Sequence, residues 1–148
     1  MIKNLFLIFF LFAGFSAYAQ HDPSDQMDSL EWDLIGGITM KTVKPTEIYA
    51  VFKPDIKKYQ NKPFTIEGYI VPIKDGMKQT RFMFSPLPIN QCFYCGQKGV
   101  PIMLLVEMNE AIKFTFKPVL ISGTLKLNAG NTLSNPPVAI TGSKLITE

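Results

Sequence analysis

The chain has 148 residues, with 15 lysine or arginine against 12 aspartate or glutamate and a net charge of +3. Arg81 is the single arginine and the lysines are scattered, so the basic excess is too weak and too dispersed for a nucleic-acid footprint. Hydrophobic residues make up 47% of the chain and no low-complexity tract interrupts them, which excludes a disordered protein.

In chain order, residues 1–19 read as a secretory signal peptide. Lys3 precedes a short apolar run, Leu5 to Ala13, and Ala17-Tyr18-Ala19 supplies the small residues that signal peptidase accepts at −3 and −1. The run is shorter than the ~20 residues of a spanning helix. A polar stretch, Gln20 to Ser29, follows it. Cleavage after Ala19 leaves 129 of the 148 residues, enough for one domain with a core, and a net charge of +2. No cysteine lies near that site for lipid attachment. The expected product is periplasmic or secreted, with no stable membrane insertion and no nucleic-acid partner.

Residues 20–62 read as an N-terminal arm with short helical turns. Pro23 and Ser24 open a helix with Met27, Leu30 and Leu34 on one face, ended by Gly36-Gly37. The same segment also reads as a loose arm docked through Trp32 and Leu34. A turn or two of helix fits Asp55 to Gln60, between Pro54 and Pro63.

Residues 63–148 read as a barrel. Phe64 to Ile73 is a long strand with Gly68 inside it, where a bend or bulge is expected. Asp75-Gly76 marks a turn, Arg81 to Phe84 a second strand that pairs with the first, and Pro101 to Glu107 a third, apolar on both faces. A connection over Met108 to Ile112 follows. Period-two alternation from Phe114 to Leu127 predicts a fourth strand, and Val138 to Ile146 a fifth. Strands bent at Gly68 and Gly123 suit a small closed sheet. The predicted fold is an all-β, five-stranded antiparallel barrel resembling the oligonucleotide/oligosaccharide-binding (OB) type, without the helix usual between its third and fourth strands.

Chemistry concentrates in Asn90-Gln91-Cys92-Phe93-Tyr94-Cys95-Gly96, a loop that holds the only two cysteines. Three readings stay open. Two thiolates at C-x-x-C spacing grip one ion, zinc or copper. Zinc would need further ligands, with His21 the only histidine, and copper(I) accepts fewer and softer ones, including Met83 or Met103. The pair also suits a disulfide, which in an oxidising compartment would stiffen the loop by about 2 kcal/mol. The third reading is thiol–disulfide exchange with Lys98 favouring a thiolate, although no βαβ unit surrounds the pair. His21, second after cleavage, suits copper(II) chelation, but a frayed terminus explains it as well. The acidic cluster Asp25, Asp28, Glu31 and Asp33 lacks an EF-hand spacing and reads as a solvated face. No nucleophile motif, phosphate loop or histidine-centred triad is present, so a binding module is expected rather than an enzyme. In a structural role, an envelope protein would dock on exposed Trp32, Tyr69 or Tyr94.

The order Trp32-x-Leu34, Gly68-Tyr69-x-x-Pro72, Phe82-x-Phe84-Ser85, Cys92-Phe93-Tyr94-Cys95-Gly96 and Ser122-Gly123-x-Leu125 resembles a family of small exported bacterial proteins. It is the domain-of-unknown-function family 3299, and its Bacteroidetes-type members are the nearer match. The resemblance runs from about Trp32 to the C-terminus. It implies a small β-barrel and export and no established activity. Metal handling is the role suspected for such families, and only Cys92 and Cys95 carry over. The family's usual G-P-E after the C-G is replaced by Gln97-Lys98-Gly99-Val100-Pro101, so the resemblance supplies no acidic third ligand in this loop.

Overall fold

The computed structural model describes residues 26–89, 103–130 and 136–146. Five strands close into a barrel: β3 (Pro63–Pro72), β4 (Lys78–Ser85), β5 (Leu104–Lys113), β6 (Val119–Leu127) and β7 (Val138–Leu145), in the ring order β3-β4-β5-β7-β6. Ahead of them lie helix α1 (Leu30–Gly36), a hairpin of β1 (Thr39–Lys44) and β2 (Glu47–Val51), and a single turn of helix, α2 (Pro54–Lys57).

The alternation read in the first long strand sets the barrel wall. Phe64, Ile66 and Ile70 point inward and are buried, while Thr65 and Glu67 face solvent. Phe82, Phe84, Leu104, Val106, Ile121, Leu125 and Ile140 complete an interior with almost no exposure. β3 changes partner half-way: residues 63–68 pair with β6 and residues 69–72 with β4. The change falls at Gly68. A Cβ there would lie 2.8 Å from the Ser85 carbonyl oxygen and 2.9 Å from the Phe84 and Trp32 rings.

The barrel is not wholly antiparallel. β5 and β7 run parallel while every other pair is antiparallel. A closed ring with an odd number of strands cannot alternate direction throughout, so one pair must be parallel. The second strand runs Lys78–Ser85 rather than Arg81 to Phe84 and the third starts at Leu104 rather than Pro101, and two connecting stretches also differ from expectation. Met108 to Ile112 is not a connection but the second half of β5, and Phe114 to Pro118 is a loop rather than the start of β6. Pro118 explains the shift, because its missing N–H and fixed φ favour the edge of a strand. That five-residue link leaves no room for a helix between β5 and β6.

The arm is docked, not loose. Ser29 caps α1, its Oγ accepting from the Trp32 N–H at 3.3 Å, so the helix starts at Leu30 rather than at Pro23 and Ser24. Trp32 and Ile35 form its buried face, and Leu30 is exposed. The Trp32 indole N–H donates to the Glu67 carbonyl at 2.7 Å, and its ring stacks on Phe84 with centroids 6.1 Å apart. Ile56 of α2 joins the same core cluster. The β1–β2 hairpin was not anticipated from the sequence. Among the described residues it pairs only with itself, and every residue of β1 is exposed. Among the described residues no helix is long and apolar enough to cross a membrane.

The β3–β4 turn is clamped by a buried amide. Gln79 Nε2 donates to the Lys74 carbonyl at 3.1 Å and to the Gly76 carbonyl at 2.6 Å. Gln79→Leu is expected to lower unfolding stability by about 2 kcal/mol, since both carbonyls lose their donor. An unchanged denaturant midpoint would show that the turn holds without it.

Candidate functional site

Cys92 and Cys95 lie outside the described residues, as do His21 and Tyr94. The structure does describe the roots of the connection that carries the cysteines. β4 ends at Ser85 and β5 begins at Leu104, so residues 86–103 join two strands whose ends are direct neighbours, with Phe84 paired to Leu104. A hairpin of two to five residues would serve there, so the connection holds far more chain than the strand pairing requires.

The departing root is fixed. Ser85 is buried and its Oγ accepts from the Leu87 N–H at 3.1 Å. The Pro86 carbonyl accepts from the Met27 N–H at 2.9 Å, tying the exit of β4 to the arm. Leu87 is buried too. The chain therefore leaves the barrel in a defined direction.

Beside this root lies an open groove of about 400 Å³, lined by Tyr69 and Ile70 of β3, Pro88 and Ile89 of the departing connection, and the loop Phe114–Pro118. Phe114 and Phe116 meet edge to face at 4.9 Å, and the Lys117 N–H donates to Thr115 Oγ1 at 3.1 Å, which shapes the loop into a wall. Thr115, Lys117 and Tyr69 are the lining residues that carry polar side-chain groups, among otherwise apolar ones. Small-molecule sites are built this way, from apolar walls with a few polar groups.

The outward side of the sheet next to this groove is also apolar. Strand alternation turns Val71, Met83, Leu105 and Ala139 outward, and they stand in one row across β3, β4, β5 and β7. Leu105 is nevertheless buried, as is Tyr69, which faces the same way. Met83 is half-buried in that row. Met103, also half-buried, is the residue through which the connection returns to β5.

The residues read as exposed docking anchors are placed differently. Trp32 is 4% exposed and Tyr69 8%, because one plugs the barrel end and the other lies under the groove. Neither is free to anchor a partner. In the acidic segment Asp28 accepts from the Gln26 amide at 3.3 Å. No group of three or more His, Cys, Asp or Glu comes together among the described residues. The groove itself was missed in the sequence because Phe114 and Phe116 alternate like strand residues. Lys117-Pro118 was the signal that the strand had not begun. Searches against protein-family models, curated proteins and solved structures each found no match.

Proposed function

We propose that this protein is an exported binding module of the kind it resembles in sequence, whose barrel presents Cys92 and Cys95 to hold a transition metal, zinc or copper. The observation that carries the reading is the connection itself. Eighteen residues link two strands that need almost none, and they contain both cysteines of the chain. In OB-type barrels the second and third strands carry the ligand face, and here those are β4 and β5, the strands this connection joins.

The donor chemistry fits a soft ion. Two thiolates two residues apart can share one metal, and Gly96 permits a tight backbone behind them. A thioether from Met83 or Met103, both at this end of β4 and β5, is compatible with copper(I). Zinc would need two more donors, which a second copy of the chain supplies as a four-thiolate site.

Protein from Gln20 onward, reduced, loaded with zinc or copper(I) and then washed, tests this directly. It is expected to retain metal that Cys92→Ser with Cys95→Ser loses at least tenfold, with the unfolding midpoint of the apo-protein unchanged. Equal retention by both proteins, or none by either, would remove the cysteine site. If the thiols instead cycle with a disulfide substrate at a catalytic rate, the oxidoreductase reading replaces it.

A further inference from the structure

One end of the barrel carries apolar side chains that the fold does not use. The β3–β4 turn and the β5–β6 loop meet there: the Phe114 N–H donates to the Met77 carbonyl at 2.8 Å, and Lys78 pairs in register with Lys113. Phe116 is 75% exposed, Met77 59% and Ile73 48%, three of the eight large hydrophobic side chains most exposed among the described residues. The turn is clamped by Gln79, and Phe116 is braced edge to face by Phe114.

Charge surrounds these tips. Lys74, Lys78, Lys113 and Lys117 are all exposed, and none makes an ion pair among the described residues. Two acids stand against them, Asp75 in the turn and Glu110 on β5. Protruding apolar side chains ringed by lysines match a surface that is apolar inside and anionic outside. A soluble polyanion would use the lysines but would leave Phe116, Met77 and Ile73 in water.

We propose that this end of the barrel docks on an anionic lipid surface. Phe116, Met77 and Ile73 enter the headgroup region, and the four lysines stay at the level of the lipid phosphates. The contact is peripheral, and independent of whether the cysteines hold metal.

Flotation with vesicles tests it, using the chain from Gln20, which contains every described element. Binding is expected to vesicles of phosphatidylglycerol and phosphatidylcholine in equal parts, to fall steeply with salt, and to be absent from pure phosphatidylcholine. Phe116→Ser is expected to weaken it about tenfold, and Lys113→Gln or Lys117→Gln about fivefold each. Met77→Ser provides a second apolar variant should Phe116→Ser fold poorly. Thr65→Ser, on the opposite half of β3, is expected to bind as the parent does. Binding indifferent to lipid charge, indifferent to these substitutions, or seen with heparin but not with vesicles would overturn the proposal.

Discussion

Gly68→Ala is expected to lower unfolding stability by about 3 kcal/mol, a large share of what a small domain possesses. The added methyl would have to enter a space bounded on one side by backbone, the Ser85 carbonyl, and on the others by the rings of Phe84 and Trp32. Backbone cannot rotate away as a flexible side chain can, and β3 cannot retreat without giving up its pairing with either β4 or β6. The variant should unfold at a clearly lower denaturant concentration. Because Trp32 is the only tryptophan, its fluorescence should also report a more solvated indole in the folded protein. A change below about 0.5 kcal/mol, the range of an ordinary surface substitution, would mean that the barrel does not close where the change of strand partner places it.

Trp32→Ala is expected to cost about 4 kcal/mol, since it empties the largest apolar volume between arm and barrel. Trp32→Phe separates the two contributions. It keeps most of the ring against Phe84 but removes the donor to the Glu67 carbonyl, and should cost about 1 kcal/mol for the hydrogen bond, plus the packing the smaller ring loses. Hydrogen exchange adds a spatial readout. In Trp32→Ala the amides of α1 should lose protection while those of β5 and β6 keep theirs at the reduced global stability. Uniform loss across arm and barrel would show one cooperative unit, and unchanged protection of α1 would show that something other than Trp32 holds the arm.

The barrel was legible where one physical cause acts on local residues. Inward and outward alternation marked β3, Gly68 marked the point where that strand changes partner, and the apolar run at Leu104 to Val106 marked a strand buried on both faces. The parallel β5–β7 pair was not legible from residue patterns, because it follows from closure of a five-membered ring. The β1–β2 hairpin was missed because its strands bury little, so no alternation distinguishes them from a linker. The loop Phe114–Pro118 was misplaced because an aromatic pair that packs edge to face leaves the same period-two mark as a strand. For the candidate site, the C-x-x-C spacing singled out Cys92 and Cys95 and left metal binding, a disulfide and thiol exchange open. What surrounds its roots, the groove lined by Tyr69 and the pinned exit at Ser85 to Leu87, depends on β3, β4 and the arm meeting from distant parts of the chain.

The most direct test of the metal reading is a paired assay on one sample: the chain from Gln20, purified without chelator, with free thiols counted and metal analysed together. The account predicts one zinc or copper ion for every one or two chains, with both thiols protected until a chelator releases the metal. One ion per two chains would identify a shared four-thiolate site. A sample with neither metal nor free thiol would contradict the account, because Cys92 and Cys95 would then be joined as a disulfide staple.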